Sequence, residues 1–408
     1  MSRIYTILFA LAGLAILAAV LNWSVLRSVF AGDPNDFVEE MVLEDPLMIE
    51  GPEAGLDYHL VTLFFGTNRG VLQGEFDRPA ERFSNEDSGI LTYGTAEVSI
   101  PFDHEIGVIE APFWATEFIF GENPAKHVLL LSMYDADEDV VLAQLKAELE
   151  ETTNKVLVYI HGYNTGVETA ALRAGQMTHD LQWRGPSFFF SWPSQGGFED
   201  YGNDQEKARG SRRELRKMFE DIAETEPEEI VIIAHSMGND LLTQTLELMH
   251  VSNSDALDKI KTVILAAPDI NADNFISDIV PVFAAMKAND ENFSVTMYAS
   301  ENDSALQVSQ VVNGVRRIGR VPRPSSEERA MLDPVLVVDA SKAVSDFFEH
   351  TYINASETVI EDVFCILTLS SDPSKRKETL ENLPNGNGVS GFAIKLDNPG
   401  KKHEFKCE

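Results

Sequence analysis

Ser236 lies in the run Ile230-Val231-Ile232-Ile233-Ala234-His235-Ser236-Met237-Gly238-Asn239. The apolar part reads as a buried strand, and an amphipathic, helix-like run from Asp240 to His250 follows at once. A small-x-Ser-x-Gly turn between a strand and a helix points the serine hydroxyl out over the sheet, as a nucleophile elbow does. Small residues are needed two positions either side because a backbone folded so sharply tolerates no bulk. The first of them is Ala234 rather than the usual glycine. Such a five-residue pattern arises by chance roughly 0.3 times in a chain of this length. The strand before it and the helix after it carry the signal.

A serine hydroxyl is a poor nucleophile at neutral pH and needs a base, which in turn needs an orienting acid. The expected chain order is serine, acid, histidine. Three histidines follow Ser236. His250 closes the helix that the serine begins, about 21 Å away and out of reach. His403 lies in a polar terminal stretch. His350, between the last predicted strand and the last helix, is the candidate base. The acid should hang from a strand end. Asp303, after the strand Ser294–Ala299, is favoured, because a longer loop after a later strand reaches the base more naturally. Asp269 and Asp339 remain open, and Asp269 could instead cap the helix that follows it. A developing oxyanion needs backbone donors. The Met237 amide is one, and the loop His161-Gly162-Tyr163-Asn164 offers the Tyr163 amide as the second. His161 reads as a loop-packing residue and not as a base.

The elements that must position these groups alternate in type. Strand-like runs are His59–Phe65, Ile90–Pro101, Val128–Met133, Val156–Ile160, Ser187–Trp192, Glu229–Ala234, Ile260–Ala266, Ser294–Ala299 and Val335–Val338. Helical patterns are Ala136–Glu150, Thr165–Leu181, Asp204–Glu224, Ala272–Lys287 and Glu357–Leu369. Short continuous apolar strands between helices indicate an α/β fold: a mostly parallel, doubly wound sheet, with ligands at the carboxyl ends of its strands. The domains read as 1–31, an anchor or signal segment; 32–56, an acidic linker with Pro34, Pro46 and Pro52; 57–370, a body with an N-terminal strand extension (57–150) and a core (151–370); and 371–408, a polar tail.

The 408 residues carry a net charge of −34, which repels nucleic acid and anionic headgroups. Ile4–Trp23 has no charged residue and is flanked by Arg3 and Arg27. Its length suits a membrane-spanning helix, although a cleavage site at Val29 and Ala31 keeps a cleaved signal open. Arg3 favours export of the acidic body to the periplasmic side, and Arg27 acts against that orientation. Cys365 and Cys407 are the two cysteines, able to pair in an exported body or to stay apart. Arg316, Arg317, Arg320 and Arg323 cluster behind Asp303 and either bridge the acidic surface or meet an anion. No cofactor or metal is expected, since no phosphate loop, metal-ligand spacing or CxxC occurs.

Several stretches together resemble a bacterial family of α/β hydrolases of unknown function, often labelled esterase or lipase. They are Phe65-Gly66-Thr67-Asn68-Arg69, Tyr93-Gly94, Val98-Ser99-Ile100-Pro101, Val158-Tyr159-Ile160-His161-Gly162-Tyr163-Asn164, Ser191-Trp192-Pro193-Ser194, the Ser236 run, Ala267-Pro268-Asp269, Tyr298-Ala299-Ser300-Glu301-Asn302-Asp303 and Arg317-Ile318-Gly319. The resemblance covers about residues 58–370. It implies an α/β-hydrolase core with extra N-terminal strands, and a triad at Ser236, Asp303 and His350. The resemblance implies no substrate; the expected substrate is a small-molecule or lipid ester. The rival expectation is a non-catalytic module of the same fold at the cell envelope.

Overall fold

A computed structural model of the chain describes residues 56–111, 122–195, 201–343, 353, 355–385, 388–396, 405 and 407. All belong to one of two compact units, Leu47–Glu408. The uncharged run Ile4–Trp23 lies outside the described residues. Among the described residues no helix is long and apolar enough to cross a membrane.

The strands are β1 (Tyr58–Val71), β2 (Phe83–Pro101), β3 (Leu129–Ala136), β4 (Lys155–Ile160), β5 (Ser187–Ser191), β6 (Glu229–His235), β7 (Ile260–Ala266), β8 (Ser294–Ala299), β9 (Val335–Asp339), β10 (Leu380–Asn385) and β11 (Gly388–Ile394). They form one 11-stranded sheet in the order β10-β11-β9-β8-β7-β6-β4-β5-β1-β2-β3. From β11 to β1 every neighbouring pair is parallel, while β2, β3 and β10 join antiparallel.

The helices of seven residues or more are α1 (Glu138–Glu151), α2 (Val167–Asp180), α3 (Tyr201–Gly210), α4 (Arg212–Glu224), α5 (Gly238–Val251), α6 (Val280–Asn289), α7 (Ser304–Asn313), α8 (Ser326–Leu332) and α9 (Glu357–Thr368). The central strands are apolar on both sides because helices cover both faces. Val156, Val158, Ile160, Ile230 and Ile232 join one core with Leu215, Met218, Phe219 and Leu241 from α4 and α5. Leu157, Tyr159, Val231 and Ile233 join the other with Ala170 and Ala174 of α2 and Val359 of α9.

Of the elements that differ from expectation, three bear on the site or on the edge of the sheet. β1 does not end at Phe65 but runs on through Arg69, which pairs with Asp87 across a register shift. The predicted single helix over 204–224 is two, broken at Gly210-Ser211, where the Ser211 hydroxyl donates to Lys207 O at 2.8 Å and accepts from Asn68 Nδ2 at 2.9 Å. The polar stretch after residue 370 is more than a tail, since β10 and β11 extend the sheet from β9. A buried carboxylate anchors it. Asp362 of α9 accepts from Tyr298 Oη at 2.6 Å, Arg376 Nη1 at 2.5 Å and Thr379 Oγ1 at 2.5 Å. Burial raises the Asp362 carboxyl above its usual range, opposed first by Arg376.

Cys365 of α9 is bonded to Cys407, 42 residues on, and the ring of Phe405 packs 5.0 Å from that of Phe364. A loop of this length restricts the unfolded chain by about 4 kcal/mol on the chain-entropy model. Cys407→Ser is therefore expected to lower unfolding stability in a urea titration by roughly that amount. An unchanged midpoint would show that the closing segment contributes nothing.

Candidate active site

Ser236 directly follows β6, at the carboxyl end of the parallel strands, and is 3% exposed. Its φ is 53°, a left-handed conformation that a non-glycine residue holds only when its surroundings impose it. Here they do. The Ser236 amide donates to Ala266 O at 2.9 Å. The Ser236 carbonyl accepts from the amides of Asn239 at 3.1 Å and Asp269 at 3.2 Å. It also accepts from Asn239 Nδ2 at 3.1 Å, and the same amide group reaches Ala266 O at 2.9 Å. The turn is thus clamped from the next strand end and from its own helix.

The loop after β4 lies against the elbow. A Cβ added to Gly162 would stand 2.7 Å from Ser236 Cβ. One added to Gly238 would stand 2.4 Å from His161 O and 2.8 Å from Ile160 O. The need for a small residue after the serine is therefore set by contact between α5 and the end of β4, rather than by the turn alone. Gly238→Ala must push rigid backbone aside and is expected to cost about 1–3 kcal/mol in thermal or urea unfolding, with an unchanged midpoint as the contrary result.

Met237 is fully buried at the start of α5, and among the described residues no carbonyl accepts from its amide. Tyr163 lies two residues beyond His161, with its ring 5.3 Å from that of Tyr201. His161 is fully buried, stacked 5.0 Å from Trp192, with Nδ1 2.8 Å from Gly162 O and Nε2 3.3 Å from Ser191 Oγ. Burial, with Arg69 nearby, holds its pKa down at about 3. It is neutral at any ordinary pH and packs the loop, as the sequence suggests.

The three candidate acids have different surroundings. Asp269 accepts from Tyr201 Oη at 2.6 Å and Ser309 Oγ at 2.5 Å, with Arg317 Nε at 3.1 Å. Burial and Asp269 push the Tyr201 hydroxyl well above its usual pKa. Asp339 accepts from Arg323 Nε at 2.6 Å and the Ser341 amide at 2.9 Å. Asp303 is fully buried at the head of α7, where its Oδ1 accepts from the Leu306 amide at 2.8 Å. His350 and His403 lie outside the described residues, and His250 is in the last turn of α5. The arginines behind Asp303 bridge the acidic chain. Arg316 meets Glu328 at 2.7 Å, and Arg320 reaches Glu301 O at 2.9 Å.

Arg69 supports the loop, a role that the sequence did not announce. Fully buried, it donates through Nε to Ser191 Oγ at 2.9 Å, through Nη1 to Asn85 Oδ1 at 2.5 Å and through Nη2 to Thr165 O at 3.0 Å. Burial pushes its pKa down to about 10, opposed by Asp204, so it stays charged. Asp204 accepts from Ser194 Oγ at 2.5 Å, and that oxygen accepts from the Thr165 amide at 3.2 Å. The ends of β1, β5 and the loop after β4 are thus tied together. An arginine inside a run of strand residues, in a chain this acidic, was the available signal.

A parallel sheet covered on both faces, with a clamped serine turn at the carboxyl end of a central strand, defines an α/β hydrolase. The chain belongs to the family described as α/β hydrolase of unknown function (DUF900), whose model matches residues 136–367. No functionally curated protein matches it. Among solved structures it is similar to an esterase of Pyrobaculum calidifontis in its monoclinic form, with 10% identity over 57% of this chain and 93% of that one, TM-score 0.32. It is also similar to phospholipase PlaB from Legionella pneumophila in complex with thio-NAD, with 12% identity over 59% and 67%, TM-score 0.34. A structure from a study of two Rhizomucor miehei esterases matches at 11% identity over 67% and 81%, TM-score 0.27.

Proposed function

We propose that this hydrolase cleaves carboxylic esters through an acyl-enzyme formed on Ser236. The observation that carries the reading is the left-handed serine held under the His161-Gly162 loop. In this reading Ser236 Oγ attacks the ester carbonyl while His350 takes its proton, and Asp303 orients His350. The amides of Met237 and Tyr163 receive the charge on the carbonyl oxygen. His350 returns the proton to the leaving alcohol, then activates a water that releases the acid.

Asp303 is preferred as the acid because Asp269 and Asp339 are each engaged by an arginine. The net charge of −34 favours neutral esters, small or lipid, over polyanionic substrates. Export of the body, anchored by Ile4–Trp23 or freed from it, is supported by that uncharged run and by the cystine. The test is labelling of the wild-type chain by a fluorophosphonate together with turnover of a short p-nitrophenyl ester. Silence in both would overturn the reading and leave a non-catalytic module.

A further inference from the structure

Three segments far apart in sequence bring histidines together at the end of the sheet opposite Ser236. His59 is the second residue of β1, His104 lies in the turn after β2, and His179 and Asp180 close α2. The His179 ring is 5.2 Å from that of His59 and 5.3 Å from that of His104. Asp180 Oδ1 is 2.8 Å from His104 Nε2 and 3.5 Å from His179 Nδ1. We infer that His104, His179 and Asp180 form a structural zinc site, with a water molecule in the fourth position.

The donor arrangement supports this atom by atom. Nitrogen and carboxylate ligands in tetrahedral array are what zinc takes, and two donors each about 2.1 Å from the ion lie about 3.4 Å apart. The His179 Nδ1 to Asp180 Oδ1 separation already has that value. The His104 Nε2 to Asp180 Oδ1 separation is a hydrogen bond that must open by about 0.6 Å to admit the ion. The rest of the shell is in place. His104 Nδ1 is 2.8 Å from Glu110 Oε2, the carboxylate contact that fixes the tautomer and orientation of a metal-bound histidine. Asp180 Oδ2 accepts from Gln176 Nε2 at 2.6 Å and from the Gly107 amide at 2.8 Å, which leaves Oδ1 for the metal.

An ion-pair chain of Glu110, His104 and Asp180 would account for those three residues alone. It leaves His179 Nδ1 with a long 3.5 Å approach to Asp180 Oδ1. A zinc ion would take His179 Nδ1 as a ligand at that separation. The site would tie the antiparallel N-terminal strands to α2 on the core.

The test uses the full-length, tag-free chain, stripped with a chelator and titrated with zinc chloride by calorimetry. One zinc per chain is expected, with an increased melting temperature and an X-ray absorption spectrum of nitrogen and oxygen ligands only. Glu110→Gln, which keeps the size of the side chain, is expected to weaken binding 10–100-fold. His179→Gln, at a side chain 24% exposed, should weaken it at least as much while leaving the far-ultraviolet spectrum unchanged. Absence of stoichiometric binding by the wild type, sulfur ligation in the spectrum, or equal affinity in His179→Gln would overturn the site.

Discussion

Ser236→Ala is expected to abolish ester turnover, with a fall in kcat on the order of 10⁶-fold, and to remove all fluorophosphonate labelling. The fold should survive the change. The constraints on residue 236 run through its amide, its carbonyl and the Asn239 side chain, and none of them uses the hydroxyl. Alanine accepts the same left-handed backbone about as poorly as serine, so the strain is little altered. Loss of activity with an unchanged melting curve would therefore isolate the nucleophile. Equal labelling of the mutant would place the reactive group elsewhere and remove the basis of the proposed mechanism.

Asp303→Asn and Asp269→Asn should separate two buried carboxylates by kind of damage. An asparagine at 303 retains an oxygen to accept from the Leu306 amide, and asparagine is a good helix cap. The fold should hold, while loss of the charge that orients the base lowers kcat by about 10⁴-fold. An asparagine at 269 leaves Arg317, 3% exposed, facing a neutral group. Breaking a buried pair in this way costs about 3–5 kcal/mol, read in urea unfolding. The two outcomes exchanged would make Asp269 the catalytic acid. A fully active Asp303→Asn would end the assignment of Asp303.

The central sheet was legible because both faces of its strands are buried, which leaves short continuous apolar runs bounded by turn residues. β7 and β8 have the bounds that the sequence predicts. The elbow was legible for the same reason, as an apolar strand that meets a small-residue turn. β10 and β11 were missed because their short apolar positions are interrupted by Asn, Gly and Pro and flanked by Lys-rich polar sequence. Their place is fixed by the Asp362, Arg376 and Tyr298 cluster together with the buried side chains of Leu380 and Ile394. The contacts of Arg69 and of the three histidines were harder to read for a different reason. Each partner set is drawn from segments tens of residues apart, and no local spacing records such a meeting. The position of His350 relative to Ser236 lies outside the described residues.

The reach of Arg69 from β1 to Thr165 O bears on where this protein can be divided. The family match begins at residue 136, yet β1 is the parallel neighbour of β5 and pairs Phe64 to Thr67 with Phe188 to Ser191. A chain trimmed to 136–367 would leave the backbone of β5 unpaired along a run of three phenylalanines, an open template for aggregation. It would also lose the cation that props the loop beside the serine. The N-terminal strands are thus part of the hydrolase body, and the smallest autonomous unit is larger than the segment its relatives share.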